Sequence, residues 1–313
     1  MRSASTPPSF AHGARGPRCS RWVWPSQGDL SNLVRFASAG TRAAVLQIVL
    51  RFLLVALLVL VSGGEPTRPN ARPIVVVAAN QSFNWSGYVQ GALEKNTTFH
   101  AVSGEWVVPK AKQRRAGEAE YSSTWIGIGG GCLDTSCTLT DATLIQAGIG
   151  HDIDAAGNPD YYAWWETIPA PSVRIADLAV RAGDRVQVTI VESPLTPEVW
   201  TIAISDLSTG GSFSITLPYS STYASAEWVL ETPVVVSDTG AVTVGPMPDL
   251  SVVGFDAATA NGVSPGFVVE EEMQLVDFDL SLIALPSAPD REGDGFNDCA
   301  FRKACNVPGG APH

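Results

Sequence analysis

Residues 225–232, SAEWVLET, place two carboxylates, Glu227 and Glu231, in a run of strand-forming residues. Side chains alternate along a strand, so both glutamates point to one face while Trp228 and Leu230 point to the other. At about 3.3 Å per residue their Cα atoms stand roughly 13 Å apart, too far to share a proton. A carboxylate that works here takes its partner from elsewhere in the chain.

The remaining reactive residues narrow the chemistry. The histidines are His12, His100, His151 and His313, and no Gly-x-Ser-x-Gly elbow accompanies them, which disfavours a Ser-His-Asp hydrolase. Of five cysteines, Cys19 lies in the N-terminal extension. Cys132/Cys137 and Cys299/Cys305 form two close pairs in loops rich in Gly, Asp and Ser. With no histidine at zinc-like spacing, they read as local disulfides of an exported protein. The oxygen-rich loop 290–305 lacks the Glu that an EF-hand needs at its twelfth position, and reads as a turn closed by Cys299–Cys305. No glycine-rich phosphate loop with a lysine occurs, and neither a cofactor nor a metal is expected.

Carboxylate and amide chemistry remain. Two carboxyls would serve a glycosidase, and the many tryptophans would suit a lectin-like, sugar- or protein-binding sheet. A carboxylate working with an amide would suit peptide hydrolysis. On the residues alone these three readings stay open.

The 313 residues carry a net charge of −11, and no Lys or Arg occurs between Arg185 and Arg291. Phosphate backbones need cations, so a nucleic-acid partner is excluded. A Lys-poor acidic surface also loses its negative charge in acid without building up positive self-repulsion, which suits an acidic environment.

The elements that must position these residues are short β-type runs bounded by Gly, Asp, Asn, Pro and Ser, among them STWIGIGG, ATLIQAGIG, DYYAWWETIP and DRVQVTIVES. No long segment shows helical periodicity. The spacing predicts an all-β fold, an antiparallel two-sheet β-sandwich of the concanavalin or lectin-like jelly-roll kind. Residues 1–43 read as a disordered or mis-annotated extension. Residues 44–64 have the order of a signal peptide, Arg51 followed by the apolar run Phe52 to Val61 and small residues, with a signal anchor as the competing reading. Residues 65–79 then form a linker or short propeptide, and residues 80–313 the sandwich with its Cys-containing tail. A secreted monomer is expected, touching the membrane only through the signal segment and anchored there if it is not cleaved. Sequons occur at Asn80, Asn84 and Asn96.

Five stretches occur in a telling order: NWSGYV (84–89), WIGIGG (125–130), LIQAG (144–148), YYAWWE (161–166) and AEWVLE (226–231). Together, over residues 80–285, they resemble the glutamic peptidases (eqolisins) in their bacterial-type form. The resemblance implies a secreted acid endopeptidase acting on polypeptides, with its site on a concave sheet face. It implies a glutamine–glutamate dyad with side chains pointing to solvent, and puts it on Gln146 and Glu231. Trp85, Trp125 and Glu166 fall on the positions that shape the site. Glu231 is then expected to take a proton from attacking water and return it to the leaving amine, while the Gln146 amide N–H stabilises the carbonyl oxygen. Trp85 and Trp125 would shield this chemistry from solvent. Glu227 is expected to line the cleft beside Glu231 without a chemical role. Two positions depart from the family: Gly129, where an Asp is frequent, and Ile168, where the fungal enzymes carry a substrate-touching tyrosine.

Overall fold

Residues of alternating polarity build this chain into strands, and their pairing decides where the candidate residues stand. The computed structural model describes residues 72–236 and 242–309, all within one unit, residues 67–313. The expected N-terminal extension, the signal segment 44–64 and residues 65–71 of the expected linker lie outside the described residues.

The longer strands are β1 (Trp85–Gly91), β2 (Ala101–Val107), β3 (Ser123–Ile128), β4 (Ile145–Ile153), β5 (Pro159–Thr167), β6 (Arg185–Glu192) and β7 (Val199–Asp206). They are followed by β8 (Ser212–Pro218), β9 (Ser225–Glu231), β10 (Val253–Ala260), β11 (Glu272–Val276), β12 (Leu282–Pro286) and β13 (Phe296–Ala300). One antiparallel layer runs β8-β7-β6-β2-β10-β13-β12-β11, and the ladder continues as β11-β1-β9-β3-β4-β5. The corner is β11: its first residues pair with β1 (Glu272 with Tyr88, Met273 with Gly87), its last with β12 (Leu275 with Ala284). This is the all-β antiparallel sandwich that the spacing predicts.

The two layers enclose a core to which β6 and β7 contribute Val188, Ile190, Trp200 and Ile202, and β3, β4 and β9 contribute Ile126, Ile128, Ala147, Trp228 and Leu230. Trp228 reaches across it and donates its indole N–H to the Ser103 carbonyl at 2.8 Å. Gly104 makes that approach possible, because a Cβ there would lie 3.0 Å from Trp228 Cδ1.

The two layers differ in one respect that matters for function. Strand β7 alternates buried and half-buried residues, as a sheet with one wet face should. Strands β1, β3 and β9 are buried on both faces. Their second face carries its own apolar cluster, including Trp85, Trp125, Leu144, Trp164, Val229 and Met273. Ile74 and the Cys132–Cys137 bridge belong to the same cluster.

Residues 74–78 fall in the expected linker yet take part in the fold. Ile74 is buried and donates its N–H to the Gly130 carbonyl at 2.9 Å, and Val76–Ala78 pairs with Gln81–Ser82. Flanking Pro and Arg make this run look like a linker, but its apolar side chains have a sheet face to cover. The disulfides join Cys132 to Cys137 and Cys299 to Cys305, with Cα separations of 4.8 and 5.6 Å, within the usual range. The Asn84 sequon is inaccessible in the folded protein: its side chain is buried and accepts the Val75 N–H at 2.8 Å.

Candidate active site

Register places the candidate residues. Glu231 closes β9, opposite Trp85 on β1 and Ser123 on β3. Gln146 is the second residue of β4, opposite Gly127 on β3 and Glu166 on β5. Strand β3 separates β9 from β4, so the two side chains start two strands, roughly 10 Å, apart across the sheet and roughly 13 Å apart along it. Counting by twos along each strand puts Glu227, Glu231, Trp85, Trp125, Gln146 and Glu166 on one face, the one turned away from the inter-layer core.

Trp125 occupies the diagonal between Glu231 and Gln146. Its indole N–H donates to Glu231 Oε2 at 2.8 Å. Its far edge lies over Gly127, where a Cβ would sit 2.9 Å from Cζ3, and its Cβ lies over Gly148, where a Cβ would be 2.5 Å away. The glycines on either side of the indole are therefore the space into which it fits. Trp85 meets Trp125 edge to face, with centroids 4.8 Å apart.

Gln146 is oriented from the other side. Its Nε2 donates to Glu166 Oε2 at 2.7 Å, which leaves a second amide hydrogen and the carbonyl oxygen available. Gln146 Oε1, Trp85 Nε1, Trp164 Nε1 and Ser123 Oγ have no hydrogen-bond partner among the described residues. All four belong to this one face. Buried polar groups ordinarily find partners, so their concentration here marks a surface suited to a polar ligand.

The expectation that the dyad points to solvent requires correction. Gln146 is 0 % exposed and Glu231 3 %. The physical cause is the apolar cluster of the second face, to which Ile74, Met273, the Cys132–Cys137 loop and Ile168 contribute. Glu227 differs from its expected place as well. It shares the face, but it is wholly buried beneath the loop, where a Cβ on Gly131 would come within 2.6 Å of its Oε1. Ser225 and Gly131 face it, yet the Gly131 N–H is donated to Ser225 Oγ at 3.1 Å, and both carboxyl oxygens lack a partner among the described residues. Burial, with the charge of Asp141 adding to it, raises its pKa well above the usual carboxylate range. Glu227 thus sits under a loop that disfavours its charged form, with Ser225 and Gly131 partly offsetting the effect of burial.

The two departures from the family have structural counterparts that the sequence did not disclose. Gly129 has a φ of +88°, and a Cβ there would clash with the Thr143 carbonyl and lie 2.9 Å from Asp141 Oδ2. A side chain there would be strained and would have to displace the Thr143 backbone, and the Asp141 carboxylate fills that space instead, bonded to the Thr143 N–H, the Thr143 hydroxyl and the Thr222 hydroxyl. Near Ile168, the Tyr219 hydroxyl accepts the Leu144 N–H at 2.6 Å and donates to the Ile168 carbonyl at 3.0 Å. Tyr219 thereby ties together the two segments that flank Gln146 and Glu166. Neither Asp141 nor Tyr219 carries a local motif, because each acts through a long-range contact.

Among the described residues, the tryptophans do not form an exposed sugar-stacking platform. Trp106, Trp200 and Trp228 belong to the inter-layer core and Trp165 packs against it, while Trp85, Trp125 and Trp164 are no more than 2 % exposed. Among the described residues, the carboxylate cluster with metal-like spacing is Asp256, Asp290 and Asp294, whose ligand atoms lie within 4.8 Å of one another. Asp256 is on β10, in the other layer, away from this face.

Comparison with known proteins adds a family. The pattern of the Peptidase A4 family matches residues 83–279. Aspergillopepsin-2 of Aspergillus niger is 25 % identical over 171 residues, a match spanning 48 % of this chain and 56 % of that protein, little more than half its length. The crystal structure of scytalido-glutamic peptidase with a transition state analog inhibitor has a TM-score of 0.53 at 18 % identity, covering 72 % of this chain and 100 % of that one. The same peptidase with a peptide-based transition state analog gives 0.52 at 20 %, with the same coverage. At these identities the likeness is one of fold.

Proposed function

The chain belongs to the Peptidase A4 family, and from that premise we propose that it is a secreted acid endopeptidase cutting polypeptides with Gln146, Glu231 and a water nucleophile. The observation that carries this reading is the diagonal pair: two side chains brought to one face from the strands either side of β3, with Trp125 between them and bonded to Glu231.

Peptide hydrolysis needs a base for water, an acid for the leaving amine and a donor for the carbonyl oxygen. Glu231 supplies the first two in turn, taking the proton of the attacking water and passing it to the amine nitrogen. The Gln146 amide hydrogen not held by Glu166 supplies the third. A glutamine is uncharged, so it assists the carboxylate without the like-charge repulsion that splits a pair of carboxyls. The indoles of Trp85 and Trp125 keep bulk water away, which strengthens each of these interactions. This reading requires that substrate displace the segments that cover the face, including the loop closed by Cys132–Cys137. Two disulfides accord with an exported, oxidising setting.

The test is digestion of a denatured protein from pH 2 to 7, with products read by mass spectrometry. Internal cleavage in acid that fades toward neutrality is expected. No cleavage at any pH, or release of reducing sugar from glycans instead, would overturn the proposal.

A further inference from the structure

Residues 72–313 contain twelve lysines and arginines, and six of them fall in two short segments, 110–115 and 302–303. The fold brings these segments together. Lys112 lies in the short strand Ala111–Lys112, which pairs with Asp249–Leu250. The next turn is pinned from within: the buried Glu120 carboxylate accepts the Arg114 N–H at 2.9 Å and the Arg115 N–H at 2.8 Å. With their backbone held inward, both arginine side chains project outward. Arg114 then stacks on Phe301, its Cζ 3.4 Å from the ring centroid. Phe301 is itself fixed by its N–H to the Ile283 carbonyl at 2.6 Å and by the Cys299–Cys305 bridge around it. Lys112, Gln113, Arg114, Asp249, Phe301 and Arg302 line a cavity of about 470 Å³, which shares no residue with the Gln146–Glu231 face.

Three cations against one carboxylate is an unusual lining in a chain of net charge −11. The ion pairs of lysine and arginine among the described residues involve Lys95, Arg115, Arg174 and Arg185, not Lys112, Arg114 or Arg302. Like charges gathered at one cavity repel unless an anion joins them. Guanidinium forks suit tetrahedral oxyanions, and stacking on Phe301 orders Arg114 beforehand, so less freedom is lost on binding. We propose that this cavity binds a phosphate group, carried by a phosphorylated polypeptide or free in solution. The choice of phosphate over carboxylate rests on the acid working range proposed above. Carboxylates lose their charge near pH 4, whereas a phosphate monoester, whose second ionisation is near pH 6, stays anionic.

Calorimetric titration of the Glu231→Gln protein at pH 4, with inorganic phosphate, a phosphoserine peptide and its unphosphorylated twin, tests this without requiring cleavage. Saturable binding of phosphate or of the phosphopeptide is expected, with no binding of the twin. Preference for the phosphopeptide identifies a polypeptide source, and equal binding a free anion. Arg302→Gln should weaken binding about tenfold with an unchanged melting temperature. Arg114→Gln should weaken it at least as much; if loss of the Phe301 contact unfolds that variant, Arg302→Gln and Lys112→Gln decide. Absence of saturable binding by both phosphate probes, or wild-type binding by the Arg302 and Lys112 variants, would overturn the assignment. Digestion of unphosphorylated protein by the otherwise wild-type enzyme carrying Arg302→Gln should be unchanged, which separates this site from the proteolysis.

Discussion

Trp125 donates its indole N–H to Glu231 Oε2 at 2.8 Å, and the other edge of the same ring lies over Gly127, on the rung that holds Gln146. One side chain thus touches the proposed base and fills the diagonal between base and amide. It sets the direction in which the Glu231 carboxylate presents its other oxygen.

Trp125→Phe keeps a ring over Gly127 and removes the N–H donor. A hydrogen bond to a charged group contributes about 1.5–3 kcal/mol, so kcat/KM should fall roughly 10- to 100-fold. Steady-state kinetics in acid, with a melting curve to confirm the fold, measure this. Unchanged kinetics would remove Trp125 from the site.

Glu166 orients Gln146 through the 2.7 Å bond from Nε2. Glu166→Gln retains an oxygen acceptor and should lose little activity. Glu166→Ala leaves a buried donor unpaired, and a loss of about tenfold, in kcat more than in KM, is expected. Equal effects of the two substitutions would argue against an orienting role.

Gly148→Ala tests the packing that seats the indole. The added methyl would meet the Thr124 carbonyl and the Trp125 Cβ, the latter at 2.5 Å. Overpacking of this kind costs about 1–3 kcal/mol, so both denaturant midpoint and activity should fall. A variant as stable as the parent would show that this contact is loose.

Two buried carboxyls make stability depend on pH. Burial pushes Asp298 up to about 7, against the Ser86 hydroxyl that bonds it at 2.9 Å, and raises Glu227 well above the usual range. Between the ordinary carboxylate value near 4 and the raised native values, the folded protein binds more protons than the unfolded chain. The Asp298 contribution to stability is therefore fully present below about pH 4 and is lost as pH rises toward 7, and that of Glu227 falls in the same direction. Urea unfolding from pH 3 to 8 should show this decline, and Asp298→Asn should flatten it. Stability that rises with pH across this range would contradict the assignment.

The sandwich was legible because alternation and turn residues recur along the chain, and the cysteine pairs because they are local. The proposal of Gln146 and Glu231 rests on the order of short motifs, not on strand periodicity, which presents Glu227 as the equal of Glu231. Which glutamate meets Trp125 depends on register between β3 and β9, and no single stretch records it. The covering of the site face by Ile74 and the Cys132–Cys137 loop, and the roles of Asp141 and Tyr219, are likewise contacts between distant segments. The cationic cavity joins residues almost 190 positions apart, Arg114 and Arg302, for the same reason.

The most direct measurement is digestion of one denatured protein at pH 2–7 by the wild-type chain, Glu231→Gln and Gln146→Ala, each shown to be folded by its melting transition. Cleavage in acid by the wild type, with its loss by at least about 1,000-fold in Glu231→Gln and a large loss in Gln146→Ala, is the predicted result. Wild-type digestion by both variants would contradict the assignment of Gln146 and Glu231 as the catalytic pair.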